Sequence, residues 1–399
     1  MEHPAQPAPE SWLNRTTVGI GLTSLFSDWC HEIATTILPA FLASMGLGPG
    51  WLGVIEGTSD GLSGVAKLAG GYYTDRLKKR KPLVLAGYAL TTVATGALAL
   101  AGQGTHVMAA RVTAWIGRGA RTPGRKAVLA AAVPATAYGR AFGLERLMDT
   151  TGAIAGPLTA FWLLHLYGGD YRPVFLWTLL PGLLAVVCFG LLVRERPLAV
   201  SAPRIPFAAS LRGLPASYRR FLLAVGVFGL GDFAHTLLIL YATQTLLPQW
   251  GAVAAATMAT GLYVLHNVFY AAFAYLAGWL GDHRARHKVL AAGYALAIPM
   301  ALLLAAGTQT LFGLAAIFIL GGICVGVEEA LEDSLAAELA PRSQHGMAFG
   351  TLAAVNAVGD FASSLLVGIL WSTVSAPAAF LGVAILFGAG SLLMLTLRR

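Results

Sequence analysis

Twelve apolar stretches of about twenty residues or more, parted by short polar connections, restrict this chain more than any other feature. Each is long enough for an α-helix to cross the roughly 30 Å hydrocarbon layer of a bilayer. They fall at 15–43, 50–74, 82–102, 106–133, 140–166 and 173–193, then at 218–246, 253–280, 288–306, 310–338, 346–372 and 376–397. Only 12% of the 399 residues are Asp, Glu, Lys or Arg, about half the usual quarter and too few to coat the surface of soluble domains. Soluble globular and disordered chains are thereby excluded. The pattern predicts an all-α, multi-pass membrane protein with twelve transmembrane helices.

Basic residues select the orientation. Arg76, Lys78, Lys79, Arg80, Lys81, Arg140, the stretch from Arg194 to Arg220, Arg284, Arg286, Lys288, Arg342, Arg398 and Arg399 fall in alternate connections and at the C-terminus, whereas the opposite side holds only Arg172. Basic loops stay cytoplasmic, so both termini are expected inside. Short loops and no targeting segment suggest a bacterial inner membrane. The net charge of +8 is scattered in short clusters between apolar runs, with no basic face for nucleic acid. Cys30, Cys188 and Cys324 stand singly in apolar runs, without the spacing of a zinc site or disulfide framework. No phosphate-cradling glycine loop or nucleophile elbow is present, so no enzyme activity or cofactor is expected.

The chain also repeats itself. Asp28 and His31 recur as Asp232 and His235, Gly71 and Asp75 as Gly278 and Asp282, and Ala141-Phe142-Gly143 as Ala348-Phe349-Gly350, at offsets of 204 to 207. This predicts a tail at 1–14, a six-helix bundle at 15–193, a linker at 194–217 and a second, pseudo-symmetric six-helix bundle at 218–397.

Between the second and third spans, Gly71-Tyr72-Tyr73-Thr74-Asp75-Arg76-Leu77-Lys78-Lys79-Arg80-Lys81 resembles the signature loop of the major facilitator superfamily, with a weaker copy at Gly278-Trp279-Leu280-Gly281-Asp282-His283-Arg284. Lys78 stands where the family has a second glycine. Glycine admits a close helix approach, and the acid can sit at a neighbouring helix N-terminus. The resemblance implies that Asp75, Arg76 and Asp282 help lock the inward-closed state. In the fifth span, Gly143, Gly152 and Gly156-Pro157 are similar to the antiporter pattern of that superfamily, although Ala160-Phe161 replaces its closing glycine pair. The fourth-span motif fits less well: its arginine would fall at Trp115, and Arg111 receives no proton-coupling role.

Charged residues inside a span cost several kcal/mol unless they face a cavity or a partner. Asp28, His31 and Glu32 share one helix face, repeated by Asp232 and His235, and the family resemblance turns both faces toward a central path. Such groups suit proton binding or cation coordination. In the second span Glu56 and Asp60 lie one turn apart, near enough to share a proton, with Lys67 as a candidate partner of Asp60; His266 and Asn267 hold the matching place in the eighth span. Arg118, Arg121, Arg125 and Lys126 in the fourth span correspond to Val325, Glu328, Glu332 and Asp333 in the tenth, with Glu329 adjacent. Buried charge of one sign needs the other, so Arg125 or Lys126 is expected to pair with Glu332 or Asp333 as a gate, joined by Glu145, Arg146 and Asp149.

The expected function is secondary active export of a small polar or cationic solute by alternating access, with protons as the coupling ion, by a monomer in the lipid bilayer. Two alternatives remain: a divalent-metal exporter using Asp28, His31, Asp232 and His235, and an organic-anion carrier using Arg118 and Arg121.

Overall fold

The computed structural model describes residues 11–47, 49–195 and 206–397. Most of the expected tail, much of the expected linker and the terminal Arg398 and Arg399 lie outside the described residues. The first half consists of α1 (Arg15–Ser44), α2 (Pro49–Thr74), α3 (Lys81–Gly96), α4 (Gly104–Ala131), α5 (Tyr138–Leu166), and α6 (Tyr171–Trp177) followed by α7 (Leu179–Leu192), which together make the sixth span. The short α8 (Phe207–Arg212) precedes the second half. That half holds α9 (Ala216–Gly229), α10 (His235–His283), α11 (Arg286–Ala305), α12 (Leu311–Leu339), α13 (His345–Thr373) and α14 (Ala376–Leu395).

Local chemistry starts the first helix. The Asn14 side chain accepts from the Thr16 and Thr17 amides while the Thr17 hydroxyl accepts from the Asn14 amide, a reciprocal cap that satisfies orphan donors. The seventh span departs from the expected continuous 218–246. It is α9, a non-helical stretch at 230–234, and the first turns of α10. Helix α10 then bends into the eighth span at Gly251, whose φ of 72° lies in the left-handed region where glycine pays no Cβ penalty.

By length and composition, seven of the described helical segments can cross a membrane, or up to eight counting the pair Gly104–Ala131 and Ala135–Leu166, bent by 113°. Glycine, hydroxyl and charged side chains dilute the apolar content of the first and second spans, and the seventh falls short because it is broken at 230–234. Within the first half α1 packs on α5 and α7, and α4 on α2 and α3; within the second, α10 packs on α12, and α14 on α11 and α9. The halves meet where α5 crosses α10 and α12, and where α2 and α4 cross α13.

Candidate functional site

Two matching clasps close the end of the bundle that carries the basic loops. Asp75, just past α2, accepts from the Gly346 and Met347 amides, each at 2.7 Å, at the start of α13. Asp282, near the end of α10, accepts from the Gly139 and Arg140 amides at 2.8 and 3.0 Å, and from Arg140 Nε at 2.8 Å, at the start of α5. Carboxylates at helix N-termini satisfy unpaired N–H groups and meet the positive end of the helix dipole. Burial pushes the Asp75 carboxyl up to about 6, against the opposing pull of the Met347 amide, Arg80 and the Gly346 amide. Glycine is required beneath each clasp: a Cβ on Gly71 would lie 2.3 Å from the Gly346 carbonyl oxygen, and one on Gly278 would lie 2.1 Å from that of Gly139.

Toward the opposite end the same helices diverge. Gly53, Gly57 and Gly61 on α2, and Gly368 on α13, have no neighbour within 4 Å of where a Cβ would stand. Above the seal lies a cavity of about 500 Å³. Six carboxylates line it: Asp232 from the break in the seventh span, Glu328, Glu329, Glu332 and Asp333 from α12, and Asp360 from α13. Three bases from the first half face them: Lys67, Lys126 and Arg146. Phe233, His235, Tyr263, Val325 and Asn356 complete much of the wall.

Half of these carboxylates are tied down. Lys126 Nζ is 2.6 Å from Asp333, as the charge pattern predicted. Arg146 reaches across to Glu329 at 3.0 Å and Asp333 at 3.6 Å, while holding Asp149 at 3.4 Å in its own half. Glu329 also accepts from the Tyr270 hydroxyl. Glu332 accepts from the Tyr294 hydroxyl, and from Asn356 Nδ2 at 2.8 Å. For Asp232, Glu328 and Asp360, in contrast, no hydrogen bond or ion pair reaches the side-chain carboxylate among the described residues.

The first-half charges form their own network. Arg118 donates to Asp28 at 2.7 Å, and Arg121 donates to Ser27 at 2.7 Å with its guanidinium 3.7 Å from the Tyr88 ring centroid. His31 packs edge-on to Trp115 at 5.0 Å, and Glu32 is half-buried on the same helix. The glycines of the fifth-span pattern make this packing possible. A Cβ on Gly152 would lie 2.2 Å from the Leu25 carbonyl oxygen, and one on Gly156 would lie 2.3 Å from the Glu32 Cβ.

Several sequence expectations require correction. Arg125 does not cross to the second half: it lies 2.7 Å from Glu145 and donates to Ser24, because its side of α4 faces α1 and α5 while that of the adjacent Lys126 faces α12. Glu332 stays with Tyr294 and Asn356 in its own half. Glu56 and Asp60 do not share a proton, since Glu56 pairs with Arg111 at 3.1 Å and Asp60 is exposed. Lys67 lines the cavity within electrostatic reach of Asp360 and makes no ion pair with Asp60 among the described residues. Arg76, within electrostatic reach of Asp75, donates to the Tyr72 carbonyl and to Ser210 of α8, bracing the chain toward the linker.

The proposed metal ligands are not gathered. Among the described residues no group of three or more His, Cys, Asp or Glu could hold a metal ion. Asp28 faces Arg118 and His31 faces Trp115, whereas His235 packs 4.8 Å from His266, with Tyr263 and Asn267 beside them. Asp360, Asn356, Tyr270 and Tyr294 were missed. An acid in the eleventh apolar run was the available signal for Asp360, but its place in the first half is Ala153, so the repeat did not flag it.

A two-fold helical bundle sealed at one end around a charged internal cavity is the architecture of a membrane transporter. The chain belongs to the Major Facilitator Superfamily, whose family model matches residues 20–264 and 221–399. It is 28% identical over 384 residues to an uncharacterized transporter of that type from Methanocaldococcus jannaschii, covering 96% of this chain and 95% of the relative. An uncharacterized Mycobacterium tuberculosis protein is 27% identical over 370 residues, covering 92% and 88% of the two chains. Among solved structures, the Escherichia coli fucose:proton symporter FucP superposes with a TM-score of 0.77 at 16% identity, over 97% of this chain and 100% of that one. FucP in the outward conformation gives 0.78 at 18% identity over 96% and 99%, and the human organic anion transporter MFSD10 gives 0.77 at 16% over 95% and 99%. At these identities the likeness is one of fold.

Proposed function

We propose that this transporter is a proton-coupled exporter of a small cationic solute, working by alternating access as a monomer in a bacterial inner membrane. The observation that carries the reading is the charge of the cavity, where six carboxylates face three bases and three of the six accept no hydrogen bond or ion pair among the described residues. Unpaired carboxylates inside a membrane protein call for protons or a cargo cation, and exchanging one for the other couples the two fluxes. With the basic loops inside, the clasped end is cytoplasmic and the cavity belongs to the outward-facing state. Export is supported by the fifth-span glycine pattern, which packs α5 tightly on α1.

The alternatives are weaker. An organic anion would need free arginines, yet Arg118 and Arg121 are engaged with Asp28, Ser27 and Tyr88. A divalent metal would need the ligand set that is not assembled. The test is flux in proteoliposomes under an imposed proton gradient. Uptake of organic cations against an acid lumen should exceed that of organic anions and should collapse in the Asp232→Asn, Glu328→Gln double variant; cation flux indifferent to the gradient would reject proton coupling.

A further inference from the structure

The duplication makes each half a guide to the other. In the first half Asp28 on α1 is neutralised by the Arg118 guanidinium on α4, at 2.7 Å. Carried through the repeat, Asp28 becomes Asp232 and Arg118 becomes Val325. The acid is kept and its built-in cation is lost. Asp232 and Val325 both line the cavity, so the place corresponding to the guanidinium opens onto solvent space.

Glu328 supplies a second, independent observation. It stands where the first half has Arg121, it is 7% exposed, and it opens onto the same cavity. No hydrogen bond or ion pair reaches its carboxylate among the described residues. A nine-tenths buried carboxylate that no side chain neutralises is unfavourable as it stands and points to a cation that binds there. The break at 230–234 is held from α13, where Ser363 donates to the Asp232 carbonyl and Ser364 accepts from the Ala234 amide at 3.0 Å. The Asp232 backbone is fixed while its side chain stays in the cavity.

We infer that Asp232 and Glu328 form the subsite for the head of the cargo, an organic cation with N–H donors such as a guanidinium or primary ammonium, which takes the place Arg118 fills in the other half. The inference rests on the reading that the cargo is a small cation, and it adds where the cation sits and what chemistry it carries. N–H donors matter because the internal counterpart is a charge-assisted hydrogen bond and not charge proximity alone.

The test is equilibrium binding to the purified full-length protein with four probes: methylguanidinium, methylammonium, tetramethylammonium and sodium. The first two should bind in competition, and tetramethylammonium and sodium should bind weaker by about tenfold or more. Asp232→Asn and Glu328→Gln should each weaken methylguanidinium binding by a similar factor. Val325→Arg should supply a tethered guanidinium, raising the melting temperature and abolishing binding, and Asp232→Asn in that background should cancel the gain. Equal binding of tetramethylammonium, or a folded Val325→Arg protein that binds methylguanidinium like the unmodified chain, would overturn the subsite; if that variant does not fold, undiminished binding to Asp232→Asn would do so. Flux separates the two readings. Asp232-dependent binding without gradient-driven transport rejects the exporter and keeps the subsite, whereas gradient-driven flux with binding unchanged in both acid variants rejects the subsite alone.

Discussion

Replacing Asp333 by Asn should open the seal at the basic end. Lys126 Nζ lies 2.6 Å from Asp333 Oδ1, with the two side chains 9% and 3% exposed. Removing one partner of a buried pair leaves the other charge without compensation and costs about 3–5 kcal/mol. Arg146 also loses its 3.6 Å contact with Asp333 but keeps Glu329 at 3.0 Å, so the lower figure applies. Both contacts join the halves and exist only while this end is shut, so the loss falls on the closed state alone. At about 1.4 kcal/mol per tenfold, 3 kcal/mol shifts the closed-to-open ratio by a factor of roughly 150. Hydrogen exchange reads this directly, because the Gly346 and Met347 amides are protected by Asp75 across the same seam. Exchange of that segment should accelerate by about two orders of magnitude in Asp333→Asn and return toward the original rate when Lys126→Asp is combined with Asp333→Lys. An acceleration below about tenfold, or a swap no slower than the single variant, would refute the assignment of the seal to this pair.

Further outcomes follow from the same geometry. Gly139→Ala would place a Cβ 2.0 Å from the Gly278 carbonyl oxygen and should force the seam apart, whereas Gly61→Ala, with nothing within 4 Å, should leave exchange at Gly346 and Met347 unchanged. Because burial raises Asp75 from 3.8 to about 6 when clasped, the closed state binds its proton more tightly than a solvated one would. Its contribution is therefore full below pH about 4 and is lost as pH rises through about 6, by at most about 3 kcal/mol. Exchange at Gly346 and Met347, corrected for intrinsic rates, should be faster at pH 7 than at pH 4, with the slope abolished in Asp75→Asn. Asp28→Asn and Arg118→Gln should each lower the melting temperature, and the double variant should be less destabilised than the sum of the two, since neither partner is then left charged and alone.

The twelve spans were legible because membrane burial writes itself into length and composition, and the repeat gave the two halves. The clasps were legible in part: Gly71 and Asp75 with their copies marked which residues act, while the amides they meet lie 271 and 143 positions away and carry no side-chain signature. Lys126 and Asp333 could be paired from opposite charge at matched repeat positions. Arg125 could not be directed by the same argument, because a single position, about 100° around the helix, separates facing Asp333 from facing Glu145, and only packing fixes that angle. The break at 230–234 was equally hidden. Its sequence Leu-Gly-Asp-Phe-Ala lies within an apolar run that reads as continuous helix, and the hydroxyls of Ser363 and Ser364 that stabilise the open turn come from a span more than 120 residues on.

The reciprocal clasps carry a consequence for the origin and assembly of the chain. Asp75 reaches 346 and 347 while Asp282 reaches 139 and 140, each of the second set standing 207 positions from its counterpart in the first. Patch i meeting j while j meets i is the geometry of an isologous homodimer interface, here written into one polypeptide. The halves hold each other as subunits do, through surfaces that were self-complementary before they diverged. A chain divided within the linker should therefore reassemble from two separately made fragments, and its fidelity would lie in the pairs that have since become unlike, Lys126 with Asp333 and Arg146 with Glu329, which let each half tell its partner from a copy of itself.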